Sequence, residues 1–409
     1  MNYWRFILEH RRFLGFGALL TALSSVGQTF VIALFGGELR ADLGLSNSMY
    51  GLLYGLATVA SAFCLIWLGR LVDTLDVRAL TTTVLAAACV GCVLLAGSQG
   101  ALSLALALFM LRLTGQGLLV HIAQTAMARY FVAARGKAVS VAMLGLPIAE
   151  GVMPVILVTS MALMGWRGTW LLLAAVVAIV AIPLTRRLLR GHEQRQVGSL
   201  SRVAASEETD ADRPPRSWSR AEVLRHPPFY ALLPAVMAPP FIITALFFHQ
   251  VPVAAEQGWS LRWLASSFPA FAAAHIVSLV LAGQLVDRMG ARRLVAVYLL
   301  PMIAGLALLA TVNGYWVAPV YLMLMGLSAG TAGTLMGALW AELYGTQHLG
   351  AIRSLVHGVL VLTTAVSPVL AGGLLDTGLL PSSVVFLFAV YALLASFVAA
   401  MSLWQEQRS

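Results

Sequence analysis

Twelve long apolar stretches constrain the fold of this chain more than any other feature. Crossing the hydrocarbon core of a bilayer takes about 20 residues of helix, and each stretch is close to or above that length. The ~10-residue segments of alternating polarity that build membrane barrels do not occur in this sequence. We therefore expect an all-α integral membrane protein with spans at residues 13–36, 48–69, 79–98, 102–126, 138–163, 168–187, 228–253, 263–286, 294–312, 316–340, 350–375 and 381–403.

Composition supports a membrane location and argues against a hidden soluble domain. Hydrophobic residues make up 60% of the 409 residues and charged residues only 11%, whereas soluble domains carry about 25% charged residues. Beyond the spans, one central loop is the only sizeable segment left. The three cysteines Cys64, Cys89 and Cys92 lie inside apolar stretches, which favours packing over a disulfide or a metal site.

The distribution of basic residues predicts the orientation of the chain. An even number of spans puts both termini on one side, and 22 of the 26 basic residues fall on that side. The opposite side has Arg40, Arg167 and Arg262, and Arg112 alone lies within a span. Because positively charged loops stay in the cytoplasm, both termini are predicted to be cytoplasmic. This bias also explains the net charge of +9 without any binding of nucleic acid.

The sequence also contains an internal repeat. A shift of 214 residues, the difference between 69 and 283, superimposes landmarks of the two halves, which are Gly69/Gly283, Asp73/Asp287, Arg78/Arg292, Gly100/Gly314, Tyr130/Tyr344, Gly136/Gly350 and Pro154/Pro368. We predict an N-terminal six-helix bundle at 1–187, a cytoplasmic linker at 188–226 and a C-terminal six-helix bundle at 227–409. Two parallel six-span halves typically enclose a substrate site near the middle of the membrane.

The predicted linker is polar and contains Pro214-Pro215, which is typical of a flexible segment. Within it, residues 218–225 are open to two interpretations. They form either a short amphipathic helix on the membrane surface or part of a solvated linker.

The loops after spans 2 and 8 resemble a known family. The second loop reads Gly283-Gln-Leu-Val-Asp287-Arg288-Met-Gly290-Ala-Arg292-Arg293, which is similar to the G-x-x-x-D-R-x-G-R-R signature of the major facilitator superfamily. The first loop keeps Gly69, Asp73 and Arg78 but has Thr74 and Asp76 where the signature has arginine and glycine. The resemblance implies twelve transmembrane helices in two pseudosymmetric halves.

A second motif resembles one branch of that superfamily. The segment Arg129-Tyr130-Phe131, followed by Arg135-Gly136-Lys137-Ala138, is similar to the R-[WY]-F-x-x-x-R-G-x-A loop of monocarboxylate porters and oxalate/formate antiporters. The turn at residues 165–167 fits the same branch. This resemblance implies transport of a small organic anion.

The signature loops suggest a cytoplasmic gate. Glycine permits close helix approach, while an aspartate accepts hydrogen bonds from arginines and from a helix N-terminus. The predicted gate residues are Gly69, Asp73, Arg78, Gly283, Asp287, Arg288 and Arg292. Alternatively, these charges only anchor the loops among lipid headgroups.

Two ionisable residues fall deep within predicted spans, Arg112 in span 4 and Glu150 in span 5. Charges at such depth are costly and commonly functional, and helical rise puts the two at similar depths. Three interpretations stay open. Arg112 attracts an anionic substrate while Glu150 carries a coupling proton; the two form a structural salt bridge; or Glu150 alone carries protons for a neutral or cationic substrate.

Other polar residues within spans are candidates for the substrate and proton pathway. Gln116 follows Arg112 by four residues and so shares its helix face, and Gln28 lies midway along span 1. Histidine titrates near physiological pH, so histidines in the second half could join proton coupling. The remaining candidates are His249, His275 and His357. Span 7 carries Pro234, Pro239 and Pro240 ahead of His249 and Gln250, and we expect it to be a broken helix that lines the cavity.

The sequence lacks a Walker motif, a G-x-S-x-G nucleophile elbow and paired-cysteine zinc spacing. We therefore expect a secondary transporter and not an enzyme, with no cofactor and no metal. The predicted partners are a small organic solute, preferably an anion, protons and the lipid bilayer of the inner membrane, and the chain is expected to be a monomer. The alternatives are a drug or metabolite efflux antiporter and a non-transporting membrane sensor or scaffold.

Overall fold

The computed structural model describes residues 3–131, 134–191, 218–345 and 348–406, and within these ranges all regular structure is helical. The chain divides into two compact units. One comprises Met1–Leu45 with Leu56–Ala211, and the other comprises Ser46–Gly55 with Asp212–Ser409. Most of the predicted linker, residues 192–217, lies outside the described residues.

The first four spans contain two irregular helices. Span 1 is a long helix followed by several short ones, with a bend of 44° between Arg5–Gly27 and Thr29–Leu43, and a π-helix interrupts span 4. The helices are Tyr3–Leu23, Ser24–Gly27 (3-10), Thr29–Ile32, Ala33–Phe35 (3-10) and Gly36–Leu43 in span 1, Asn47–Leu68 in span 2, Leu71–Thr74 in the following loop, Val77–Ala96 in span 3, and Ala101–Leu111, Arg112–Leu119 (π) and Val120–Tyr130 in span 4.

Spans 5 and 6 form one apolar stretch that a single glycine divides. The stretch Gly136–Leu188 has 53 residues, about 80 Å of helix, and so is far too long for one crossing. Gly165 adopts φ 71°, a left-handed conformation that favours glycine, and turns the chain between the two spans. The helices are Arg135–Met143, Gly145–Val176, Val177–Ala181 (π) and Ile182–Leu188.

The turn at Gly165 is fixed by charged hydrogen bonds within the first unit. Asp42 Oδ2 accepts bonds from Trp166 Nε1 at 2.8 Å and Arg167 Nη1 at 2.6 Å. Arg167 Nη2 also donates to Ser98 O at 3.1 Å. The turn is thereby tied to the end of span 1 and to the loop before span 4.

The second unit holds six more spans, and the described residues therefore show the twelve-helix arrangement that the sequence predicts. The helices are Arg220–Val223 before span 7, Pro227–Phe248 and Gln250–Glu256 in span 7, Leu261–Met289 in span 8, Ala291–Val297 and Leu300–Thr311 in span 9, Val317–Tyr344 in span 10, Leu349–Asp376 in span 11 and Pro381–Glu406 in span 12.

Span 7 is broken, as the sequence predicts, but not at its prolines, since helix Pro227–Phe248 continues through all three of them. Pro239 cannot donate to Ala235 O four residues earlier, but Tyr298 Oη donates to that carbonyl at 2.6 Å. A neighbouring span thus replaces the missing helical hydrogen bond. The helix breaks instead at His249, where φ is −104° and ψ is 26°.

The segment at 218–225 contains a helix of four residues, Arg220–Val223, shorter than the amphipathic helix considered from sequence. Ser219 and Glu222 form a capping box at its start. Val223 is fully buried, and Trp218 N donates to Tyr344 O at 2.9 Å. The segment is therefore packed against the end of span 10.

Candidate functional site

The break in span 1 lies against the π-helical part of span 4. Gln28 has an extended conformation, with ψ 152°, so the helix is interrupted after the turn Ser24–Gly27. A Cβ atom on Gly115 would lie 2.6 Å from Gly27 N, and one on Gly27 would clash with Leu111 O. Only paired glycines allow this approach of the two backbones. Interrupted and π-helical segments within membranes commonly form functional sites.

Arg112 begins the π-helix and holds this crossing together. Its side chain is 1% exposed. Nη1 donates to Gly27 O at 3.0 Å, and Nε donates to Thr58 Oγ1 on span 2, also at 3.0 Å. A guanidinium group stays charged in a protein. The structure therefore fixes a positive charge where spans 1, 2 and 4 meet.

Glu150 lies on a helix that packs against the same turn of span 1. It is 9% exposed and belongs to helix Gly145–Val176. Residue 154 is a proline inside that helix, so the Glu150 carbonyl has no helical N–H four residues ahead. The Ser24–Gly27 turn contacts both this helix and the π-helix of span 4. The two predicted charges thus lie on two elements that both pack against one broken segment.

The two predicted glutamines occupy the same region. Gln28 is the residue at the break, and the Gln116 backbone N lies next to Gly27. Both side chains are half-buried. Four of the predicted pathway residues, Arg112, Glu150, Gln28 and Gln116, therefore cluster in the first unit.

The predicted histidines of the second unit are more dispersed. His249 is 5% exposed, and its Nε2 lies 2.9 Å from Pro368 O. His275 is half-buried against Phe271, with ring centroids 5.6 Å apart, whereas His357 is exposed. His249 at the break of span 7 is thus the histidine with the most defined setting.

A side chain of a neighbouring span holds each signature loop. The loop of the first unit is held by a cation from span 4, and that of the second unit by a carboxylate from span 10. In the first unit Arg129 Nη1 donates to Val72 O at 2.7 Å, and His121 Nε2 lies 3.0 Å from Gly69 O. In the second unit Glu342 Oε2 accepts from Ala291 N at 2.7 Å. The first loop is thus held by an arginine that donates to a backbone carbonyl, and the second by a carboxylate that accepts from the N–H at a helix N-terminus.

This difference explains why the loops diverge at one position of the repeat. Asp76 caps span 3, its Oδ1 accepting from Ala79 N at 2.8 Å. The repeat counterpart is Gly290, which has φ 78° and offers no side chain. Glu342 supplies the missing cap from span 10 and also lies 3.8 Å from Arg292 Nε.

The other predicted gate residues have various settings. Asp287 and Arg288 are exposed and Arg78 is half-buried, while the side chain of Asp73 lies outside the described residues. A Cβ on Gly69 would come within 3.3 Å of His121 Nε2, as close approach requires. A Cβ on Gly283 would meet no described atom within 4 Å, so the expected close approach at that glycine is wrong for this structure.

We expect Glu342→Ala to destabilise the second unit through the lost cap on span 9. Losing a helix cap costs about 1 kcal/mol, which corresponds to a fall in Tm of about 2 °C for a unit of this size. Thermal unfolding of the purified protein in detergent measures this fall in Tm. Asp76→Ala removes the counterpart cap and should cause a similar fall, whereas an unchanged Tm for Glu342→Ala would show that the contact contributes nothing.

Sequence reasoning missed Thr58 and Glu342. Threonine is common within spans, so nothing in the sequence singles out Thr58. Glu342 could have been found, because the repeat aligns Asp76 with Gly290 and so leaves the cap of span 9 unassigned.

The helices define a multi-pass membrane protein, and the comparison with known families shows that it is a transporter. The sequence profile of the Major Facilitator Superfamily matches residues 17–275 and 261–409. The chain therefore belongs to the Major Facilitator Superfamily, whose members are secondary transporters that work by alternating access and not enzymes.

Solved structures with the same fold include a bacterial homolog of the human lysosomal transporter Spinster. Its inward-facing and occupied form has a TM-score of 0.69 and 15% identity, covering 98% of this chain and 97% of that one. Its inward-facing and unoccupied form has a TM-score of 0.65 and 13% identity, covering 98% of each chain. No curated protein sequence matches the chain significantly.

Proposed function

We propose that this transporter moves a small organic anion together with protons across the cell inner (cytoplasmic) membrane, with both termini in the cytoplasm. The observation that carries the proposal is the placement of Arg112 and Glu150 on two elements that pack against the broken segment of span 1. A buried ionisable residue in a span is costly to keep and is a functional candidate by default. Two buried ionisable residues on elements that pack against one helix break favour a substrate and proton site at that break.

Arg112 is proposed to attract the anion. Its charge is permanent, and its hydrogen bonds to Gly27 O and Thr58 Oγ1 hold it at the crossing of three spans. A carboxylate that entered beside it would find the half-buried amides of Gln28 and Gln116 close by. Charge attraction combined with amide hydrogen bonds suits a small carboxylate.

Glu150 is proposed to carry the coupling proton. The residue is 9% exposed, and its carboxyl group can bind and release a proton, which the guanidinium group of Arg112 cannot do. Coupling requires that substrate and proton each favour binding of the other. This linkage would make proton uptake depend on substrate, which is the requirement for coupled transport.

The signature loops are proposed to act as the cytoplasmic gate. Arg129 on Val72 O and Glu342 on Ala291 N give each loop a defined conformation within its own unit. Rigid loops can exchange charged contacts through Asp287, Arg288 and Arg292 when the transporter changes state. His249, at the break of span 7, is the proposed contribution of the second half to the pathway.

A thermal-shift screen tests the substrate class. Small carboxylates such as lactate, pyruvate and oxalate are compared with amphiphilic cations, since a ligand stabilises the protein that binds it. We expect carboxylates to raise the Tm of the wild type and of Arg262→Gln, an exposed-arginine control, but not of Arg112→Gln. Stabilisation by amphiphilic cations that is independent of Arg112 would contradict the anion proposal and favour an efflux antiporter.

A further inference from the structure

Each unit has an apolar groove at an equivalent position of the repeat. In the first unit a cavity of about 260 Å³ lies between spans 1, 5 and 6, and in the second a cavity of about 970 Å³ lies between spans 7, 11 and 12. The 214-residue shift relates their linings: Leu23 corresponds to Met237, and Val152 to Val366. The second groove is therefore an enlarged copy of the first.

Span 11, which lines the second groove, also packs closely against residues 46–55 of the same unit. Within the second unit, Cβ atoms on Gly51 and Gly372 would lie 2.7 Å from Pro368 O and Asn47 O. Asp376, at the end of span 11, accepts hydrogen bonds from Asn47 N at 3.2 Å and Ser48 N at 2.8 Å. These contacts hold span 11 against residues 46–55, and the groove opens on its other side, towards span 12.

The polar groups of the second groove are already satisfied. Tyr391 Oη donates to Pro234 O at 3.0 Å, Thr363 Oγ1 to Val359 O at 2.8 Å, and Tyr230 Oη to Leu224 O at 2.8 Å. With these three hydroxyls engaged, the remaining lining side chains are apolar. A ligand there gains from apolar burial, at about 25 cal/mol per Å², and not from hydrogen bonds.

The groove has the dimensions of a hydrocarbon chain. Its lining on span 11 runs from Val359 to Leu374, which is about 22 Å of helix within a hydrocarbon core of about 30 Å. Lipid tails are the molecules that fill apolar space at that depth. At one end of the groove, Tyr230 bonds to the carbonyl of Leu224. The following residue, Arg225, is exposed and precedes span 7.

We propose that this second-half groove binds the acyl chain of an anionic membrane phospholipid, with its phosphate headgroup at Arg225. A basic residue near a membrane surface attracts anionic lipid with about 1 kcal/mol. The smaller first-half groove does not hold a chain in the same way. The site is independent of the transport proposal, because Arg112 and Glu150 lie in the other unit.

Photo-crosslinking in nanodiscs tests the acyl-chain site. Phosphatidylglycerol with a diazirine in its acyl chain is the probe, and labelled peptides are mapped by mass spectrometry. We expect labelling of residues 230–241 and 359–374 to exceed clearly the labelling of Phe397, a reference residue whose side chain is 60% exposed. Val366→Trp fills the groove and should remove most of that excess, whereas Val152→Trp, its repeat counterpart, should not.

Headgroup choice is tested with the same diazirine chain on phosphatidylcholine. We expect the wild type to capture phosphatidylglycerol about fivefold more, the factor for about 1 kcal/mol per basic residue, and Arg225→Gln to remove the preference. Labelling of the groove no higher than at Phe397, or unaffected by Val366→Trp, would overturn the acyl-chain site. Equal capture of the two lipids by the wild type would overturn the headgroup assignment.

Discussion

Gly27→Ala is expected to prevent accumulation of folded protein in the membrane. The added methyl group would overlap Leu111 O and come within 2.8 Å of Gln116 N, both backbone atoms that cannot rotate away. Overpacking costs about 1–3 kcal/mol even where side chains can adjust. Separating the crossing would also pull Gly27 O from Arg112 Nη1 and leave a buried cation with one hydrogen bond fewer.

The matched control is Gly15→Ala on the same span, because no described atom lies within 4 Å of a Cβ atom there. Fluorescence-detected size-exclusion chromatography of detergent extracts measures folded yield. We expect Gly15→Ala to resemble the wild type and Gly115→Ala, the other side of the crossing, to fail as Gly27→Ala does. A normal monodisperse peak for Gly27→Ala would show that the crossing is looser than described.

Glu150→Gln is expected to abolish proton-driven accumulation while keeping substrate exchange. Glutamine has nearly the same shape but cannot take up a proton, so the alternating movement continues uncoupled. With one proton per substrate, a gradient of one pH unit supports about tenfold accumulation, and the variant should fall to equilibration. Counterflow in proteoliposomes measures exchange, and uptake under an imposed pH gradient measures coupling.

Glu38→Gln is the control for this prediction, since Glu38 is an exposed acid in the last helix of span 1 in the same unit. It should keep both activities. If Glu150→Gln instead accumulates substrate like the wild type, Glu150 does not carry the proton. Loss of both activities with loss of folding would indicate the structural salt bridge considered from sequence.

The overall fold could be predicted because it depends on properties that a sequence displays directly. The length of apolar stretches limits them to membrane spans, and the shared shift of Gly69/Gly283 and Pro154/Pro368 reveals two halves without any coordinates. The family assignment followed from the loop signature and is confirmed by the profile match.

The positions of the helix breaks could not be predicted, because contacts with neighbouring spans determine them. Three prolines predicted a broken span 7, and the span is broken, but at His249. At the prolines the helix continues, because Tyr298 replaces the hydrogen bond that Pro239 lacks. The π-helix of span 4 and the extended Gln28 lie at the close contact between Gly27 and Gly115. Such contacts join residues far apart in sequence and leave no periodic signal.

The candidate site was partly accessible from sequence. A charge in an apolar span is conspicuous, so Arg112 and Glu150 were readily found. The hydrogen-bond partners of Arg112 were not, since Thr58 and the carbonyl of Gly27 resemble many other small groups in spans. The roles of the pathway and gate residues stay predictions.

Substrate-driven proton movement tests the central claim, anion transport coupled to protons, most directly. Proteoliposomes that hold a pH-sensitive dye are given a carboxylate that stabilises the protein, with no pH gradient imposed. Coupled transport predicts a change in internal pH that begins with carboxylate addition, occurs in the wild type and is absent in Glu150→Gln. Carboxylate entry through the wild type with no change in internal pH beyond that of the variant would contradict it.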